Sequence, residues 1–369
     1  MSHGPALPKV NGNDPMPKYL QAREILLGAI RAGYFTPGSK LPSTEEISSL
    51  VDISLITAHK AMEGLVEMGW LRREVGRGTY VREDVDLVNG TPRRKFFIGL
   101  LFDHQEHVNI DDYYHGSLIN GLRRAARADS DRRIEFFFDD RFDLRDKARQ
   151  DVGAICFHPP LESQSHVGRI SRRHPVVILG GSAADERVAA VDCDNENGAR
   201  KAIRHLLELG HRRFMIVSGP LNLSNARDRA VGATSELAAH GIRVDKRDTP
   251  VSKDSVVLDE ETKARIERRL TDTDRPTAIL AGGFYLALAT MQAARQVGLR
   301  IPDDASVIGF DDPPSAPLLD PPLTTVRQPL MEMAANAYRL VCQTDNRNRT
   351  SCKLSTELVV RNSTGPVRL

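Results

Sequence analysis

The densest run of chemically able side chains in this 369-residue chain is Asp103, His104, His107, Asp111, Asp112 and His115. Imidazoles and carboxylates so close together can hold a divalent metal, yet the run has no HExxH helix and no fixed ligand spacing, and such loops are more often simply polar. No G-x-S-x-G elbow, P-loop or GxGxxG turn is present, and Gly180-Gly181 and Gly282-Gly283 complete none of them. Neither an enzyme nor a cofactor nor a metal site is expected. The remaining candidates lie at helix starts and strand ends, where the chemistry is binding.

Two kinds of element must position them. From Pro17 to about Leu71 the pattern is helical: Tyr19, Ala22, Leu26, Ala29 and Ile30 share one face, and Gly33 stops that helix. Ser43 with Glu46 forms a capping box for a short helix over Thr44–Leu50. Ser54 caps a second helix whose Ala58, Ala61, Met62 and Leu65 face inward. The run from Arg72 to Arg82 then reads as a hairpin turning at Gly76–Gly78. Two helices joined by a tight turn and followed by a hairpin outline a winged helix-turn-helix. Helix N-termini offer free N–H groups to phosphate, so Ser43, Thr44 and Ser54 are candidate DNA-backbone contacts. Thr57, His59 and Lys60, early on the second helix, are placed to read base edges. Arg72, Arg77, Gly78 and Thr79 put charge and close-approaching backbone at the wing; a merely solvated face is an equal reading of Arg72.

From Phe96 the texture changes. Apolar runs at 96–102, 134–138, 153–157, 175–181, 214–219, 278–282 and 306–310 alternate with helical patterns such as Gly116–Ala128, Asn197–Leu209 and Phe284–Val297. That alternation implies parallel sheets covered by helices, in a length that calls for two α/β lobes. His158 and Asp192 end predicted strands.

The N-terminal stretch, about residues 17–82, resembles the GntR family of regulators. The resemblance rests on Ala32-Gly33-Tyr34-Phe35-Thr36-Pro37-Gly38-Ser39-Lys40-Leu41-Pro42-Ser43, on Ser54 and Thr57, on Gly69-Trp70-Leu71 and on Gly76-Arg77-Gly78-Thr79-Tyr80-Val81. In many members three arginines contact DNA; the corresponding positions here are Glu45, Leu55 and His59. A carboxylate at Glu45 repels phosphate, so the operator is read differently, or binding is weak and dimer-dependent, or Glu45 turns away.

Residues 96–369 resemble the LacI/GalR effector domain, which is related to periplasmic sugar-binding proteins. The blocks that carry this are Asp194-Asn195 with Gly198-Ala199, His205-Leu206 and Leu209-Gly210-His211-Arg212-Arg213, Ala226-Arg227 with Arg229 and Gly232, Ile301-Pro302 through Ser306-Val307-Ile308-Gly309-Phe310-Asp311-Asp312, and Pro322-Leu323-Thr324-Thr325-Val326 with Gln328-Pro329. The resemblance implies two lobes joined by crossovers near 209–211, 299–301 and 326–328, with a ligand cleft between them. Arg229 matches the family arginine that reaches the cleft, and Phe284 stands where an aspartate is usual. Tyr113 and Tyr114 fall where contacts from the first lobe are often placed, and His158 and Asp192 are further effector candidates.

The expected fold class is α/β: a winged helix-turn-helix plus a two-lobed periplasmic-binding-protein-like domain with parallel sheets. The expected layout is a flexible tail at 1–16, the head at 17–82, a linker at 83–95 and the effector domain at 96–369. Lobe 1 is expected over about 96–210 and 301–327, and lobe 2 over about 211–300 and 328–369. The function this implies is a ligand-responsive transcription repressor acting as a homodimer on double-stranded operator DNA, with a small carbohydrate effector. A regulator with a non-sugar or protein effector and a solute-binding module are the alternatives. The net charge of +2 leaves DNA binding to local arrangement rather than summed charge. The absence of an apolar run long enough for a membrane, together with the scattered Cys156, Cys193, Cys342 and Cys352, leads to an expectation of a cytoplasmic, nucleoid-associated protein with reduced thiols.

Overall fold

A computed structural model describes residues 7–12, 14–74, 76–83, 85–86, 91–92, 94–102, 112–129, 132–139, 151–343 and 349–368. The chain divides into two compact units, Met1–Phe96 with Arg127–Glu135, and Phe97–Ala126 with Phe136–Leu369.

In the first unit, α1 (Lys18–Arg31), α2 (Thr44–Val51) and α3 (Leu55–Glu67) precede the antiparallel pair β1 (Leu71–Glu74) and β2 (Gly78–Val81), in register Leu71↔Val81. Gly33, at φ 77°, ends α1, and Asp52 takes the left-handed conformation that closes α2 ahead of the turn into α3. The inward faces legible in the sequence are buried: Leu26, Ile30, Ile47, Met62, Leu65, Trp70 and Leu71 form one core. Burying each large apolar side chain contributes about 1.5–3 kcal/mol.

Two expectations for the flanks of this unit are corrected. The described part of the supposed free tail is packed. Leu7 joins the core, the Val10 N–H donates to the Val51 carbonyl at 3.0 Å, and Gln21 donates to the carbonyls of Asn11 and Met16. The linker likewise begins attached, since Val85 is buried in the same core and β3 (Val85–Asp86) pairs with β4 (Thr91–Pro92).

The second unit, to which β5 belongs from Phe97, α4 up to Ala126 and β6 from Phe136, runs β5 (Arg94–Leu101), α4 (Tyr113–Ala128), β6 (Arg132–Asp139), β7 (Val152–Phe157), α5 (Gln164–Ile170), β8 (Val176–Leu179), β9 (Ala189–Cys193), α6 (Asn195–Glu208), β10 (Phe214–Val217), α7 (Ser224–Ala239) and α8 (Glu260–Thr271). It continues with β11 (Ala278–Ala281), α9 (Phe284–Gln296), β12 (Ser306–Phe310), β13 (Thr324–Arg327), α10 (Leu330–Val341), β14 (Cys352–Leu354) and β15 (Glu357–Val359). One sheet has the order β14-β9-β8-β7-β5-β6, the other β10-β11-β12-β13-β15. Pairs such as β7–β8 and β10–β11 are parallel, and β7, β8, β10 and β11 are buried along their whole length, which is why they read as unbroken apolar runs.

The two-lobe expectation holds, but its boundaries do not. Strands 306–310 and 324–327 belong to the sheet of β10 and β11, not to that of β5. Helix α6 packs on α7, β11 and β13 through Ala199, Ala202, Ile203 and Leu206, so it too lies in the second lobe. Conversely, α10 packs on β7, β8 and β9, and β14 pairs with β9. The chain therefore crosses at 193–195, 327–330 and 354–357. The expected crossovers near 209–211 and 299–301 fall inside the second lobe, and only that near 326–328 survives.

Candidate functional site

The head presents its candidates on two rims. Ser43 caps α2: its hydroxyl accepts from the Glu46 N–H at 3.2 Å, while the Glu46 carboxylate accepts from the Ser43 N–H at 2.7 Å. That backbone bond, foremost, holds the Glu46 carboxyl below its usual range. Ser54 caps α3 by accepting from the Thr57 N–H at 3.2 Å, and its hydroxyl lies 2.7 Å from that of Thr57. Thr44 turns its hydroxyl inward, 3.8 Å from the Met62 sulfur.

Further along α3, His59 is exposed and its Nε2 lies 3.3 Å from Arg73 Nη1. The Lys60 ammonium sits over the Tyr19 ring, 4.1 Å from its centre. At the wing, Arg72 pairs with Glu74 and lies over Tyr80. Arg77 and Gly78 are exposed at the tip, and Gly78, at φ 126°, leaves no room for a Cβ beside Lys40. Thr79 lends its carbonyl to the Leu41 N–H. Glu45 is exposed, with no hydrogen bond or ion pair to its carboxylate among the described residues. The exposed Leu55 and Ile56 beside it were not singled out as contacts, because an apolar side chain carries no phosphate signal.

The second unit contains a cleft with an empty space of about 1020 Å³, part of it open to solvent. The first lobe supplies Asp112, Tyr113, Tyr114 and His115 from the start of α4, and His158 just after β7. The second supplies Arg229 from α7, Phe284 and Tyr285 from the start of α9, and Asp311 just after β12. The cleft thus stands at the C-terminal ends of parallel strands, where open α/β sheets bind ligands.

Arg229 is buried and largely spoken for. Its Nε donates to Asn195 Oδ1 at 2.7 Å, its Nη1 donates to the Gly282 carbonyl at 2.6 Å, and its guanidinium lies 4.1 Å over the Phe310 ring. Nη2 makes no hydrogen bond to the described residues. Asp192 is not on the cleft wall but behind it: Asn195 Nδ2 donates to Asp192 Oδ2 at 3.0 Å. Burial pushes the Asp192 carboxyl up to about 7, against the pull of the Arg229 charge. Burial likewise raises Asp311, which accepts a bond from Gln328 Nε2, and Cys193 Sγ donates to Gln328 Oε1 at 3.0 Å. Asn195, Asp311 and Gln328 stood in motif blocks of the sequence without being singled out as site residues.

On the facing lobe, Asp112 caps α4 by accepting from the His115 N–H at 2.7 Å, and its second oxygen lies 2.8 Å from His115 Nδ1. His115 Nε2 is 3.2 Å from His158 Nε2. Burial, helped by the neighbouring His115, lowers His158 to about 3, so it is neutral at ordinary pH. The Tyr114 hydroxyl is buried without a hydrogen-bond partner among the described residues, and burial holds it well above its ordinary range. Phe284 opens α9 and stacks edge-on with Tyr285 at 5.3 Å, forming an aromatic wall.

Of the supposed metal cluster, Asp103, His104, His107 and Asp111 lie outside the described residues. Asp112 and His115 bond each other, and among the described residues no three potential ligands are placed to hold a metal. All four cysteines are free, and no described helix is long and apolar enough to cross a membrane.

Residues 18–81 match the model of the bacterial regulatory proteins of the gntR family, and residues 203–364 that of the periplasmic binding protein-like domain. The arabinose metabolism transcriptional repressor of Geobacillus stearothermophilus is 27% identical, across 95% of this chain and 98% of its own. The HTH-type transcriptional regulator DegA of Bacillus subtilis (strain 168) is 32% identical over 58% of this chain and 65% of its own length. The crystal structure of a LacI-family regulatory protein from Chloroflexus aggregans superimposes with a TM-score of 0.63 at 27% identity, covering 73% of this chain and 99% of that one. The chain is thus a bacterial transcription regulator in which a gntR-family DNA-binding head is joined to a LacI-type, periplasmic-binding-protein-like domain.

Proposed function

We propose that this chain is an effector-controlled repressor. Its head binds a near-palindromic operator as part of a homodimer, and a small carbohydrate or sugar derivative in the cleft of the second unit changes that binding. The observation that carries this is one polypeptide holding both a capped helix-turn-helix and a two-lobed cleft with a buried arginine, carboxylates and an aromatic wall. The arabinose metabolism repressor, which matches along nearly its whole length, supports the sugar class. In the head, Ser43, Ser54, Thr57 and His59 with the wing tip at Arg77–Thr79 meet the DNA. In the cleft, Arg229 Nη2 and the Tyr114 hydroxyl bond ligand oxygens while Phe284 covers a sugar face.

The test is a binding assay on the chain's own promoter region, repeated over a salt series and then with a panel of pentoses, hexoses and disaccharides. Affinity should fall steeply with salt, because phosphate contacts release counterions. One panel member should both raise the melting temperature and weaken the complex. Absence of salt-dependent binding refutes the repressor reading; binding that no sugar affects refutes the carbohydrate effector.

A further inference from the structure

The first turn of α3 carries an apolar surface that the head does not use in its own core. Ile56 is 81% exposed and Leu55 is 50% exposed. With Glu45, His59, Ser43 and Thr44 they line a shallow hollow between the starts of α2 and α3. Apolar side chains grouped on a surface with a polar rim mark a contact site, and the place in the fold identifies the occupant. The N-terminal residues of the second helix of a helix-turn-helix face base edges in the major groove.

There the edges of adenine, guanine and cytosine are polar, whereas thymine adds a C5-methyl group that apolar side chains match. The Glu45 carboxylate, free of partners among the described residues, only accepts hydrogen bonds. It suits the exocyclic amino group of cytosine and is repelled by the N7 and O6 acceptors of guanine. Of the nearby cations, Lys60 rests on Tyr19, Arg72 is held by Glu74 and Tyr80, and Arg73 lies 3.3 Å from the His59 ring.

Building on the head as a DNA-binding domain, we infer that α3 reads its half-site through thymine methyl groups, using Leu55 and Ile56, and through a cytosine amino group, using Glu45, in place of guanine. Phosphate contact is left to the capped helix N-termini and to Arg77 at the wing. Sequence preference then depends on shape-matched apolar contact, and the salt dependence of binding is carried by other residues.

The experiment is selection of duplexes from a random-core library by the full chain, followed by replacement of each thymine in the enriched half-site with deoxyuridine, which lacks the methyl. The expected result is enrichment of thymine and cytosine at the centre of the half-site, and a loss of about fivefold or more in affinity on deoxyuridine replacement. The double variant Leu55→Ala/Ile56→Ala should bind the thymine and deoxyuridine duplexes alike, and Leu55→Arg should replace a T·A pair of the selected half-site with a G·C pair. Both side chains are exposed, so melting curves of the variants should match the parent. A half-site centre without a T·A pair, or equal affinity for the thymine and deoxyuridine duplexes, overturns this inference and leaves the repressor reading standing. Salt-dependent binding with no enriched sequence also overturns it, and no binding to any duplex overturns the repressor reading with it.

Discussion

The head and the cleft place their working groups in opposite surroundings. On the head, Glu45, Leu55, Ile56, His59 and Arg77 stand in solvent, where they touch little of their own domain. Around the cleft, Arg229, Asn195, His115 and His158 are buried and bonded to neighbours, and burial foremost moves Asp192 up and His158 down by several pH units. Exposed groups can be exchanged without disturbing the fold, so the DNA sequence read by the head is free to diverge. Buried groups that satisfy each other cannot be exchanged singly, so ligand recognition in the cleft is coupled to stability.

The largest effect that would break this contrast is at Arg229. Arg229→Ala orphans Asn195 Oδ1 and the Gly282 carbonyl and leaves Asp192 and Asp311 without their cation. Unfolding free energy in urea should drop by about 3–5 kcal/mol, and no sugar should raise the melting temperature. A fully stable variant that has merely lost its ligand response would show that Arg229 is not part of the scaffold.

Next is Gly180→Ala. Gly180 has φ 83°, and a Cβ there would lie 2.1 Å from the Tyr114 hydroxyl. A loss of about 1–3 kcal/mol is expected, and an unchanged melting curve would show that Tyr114 yields.

Third is acid titration. His158 stays neutral when folded but takes a proton below its ordinary 6.5 when unfolded, so its contribution to stability is lost as pH falls from 6.5 towards about 3. Asp192 stays protonated when folded up to about 7 but ionises above 3.8 when unfolded, so its contribution grows as pH falls through that range. The two oppose each other, and each single variant unmasks the other. Relative to the parent chain, stability of Asp192→Asn should fall more steeply with acid, and that of His158→Asn less steeply, each by up to about 1.4 kcal/mol per pH unit, measured by urea melts between pH 4 and 6.5. Parallel curves for the two variants would contradict the burial of one partner.

The smallest effect is on the head: Ile56→Ala should change stability by less than about 0.5 kcal/mol while altering DNA selection. A large destabilisation there would place Ile56 in the core and erase the contrast.

The sequence made the strands of the second unit plain, because a strand buried on both faces is an unbroken apolar run, as in 153–157 and 306–310. It did not make lobe membership plain. Helix α6 shows an apolar face, but nothing in its periodicity tells which sheet that face covers, and β14 and β15 are each only three residues long. The helix caps at Ser43 and Ser54 were legible because capping is local chemistry, settled within four residues. Arg229, Phe284, Tyr113, Tyr114 and His158 reach the cleft as expected. Asp192 does not, since the end of a strand locates a residue near a cleft without telling whether another side chain covers it. Asn195 and Asp311 escaped notice because their partners, Arg229 and Gln328, lie 34 and 17 residues away in the sequence and meet them only in the folded second unit.

One join in the second unit has a mechanical meaning. Asp192 closes a strand of the first lobe, Asn195 opens a helix of the second, and the chain between them is a crossover. Asn195 also grips Arg229, whose remaining nitrogen faces the cleft. A ligand that pulls on Arg229 therefore applies its force at the fulcrum and not at the end of a lever arm. Very small displacements there would swing the far ends of both lobes through much larger arcs. Such a mechanism would trade force for travel.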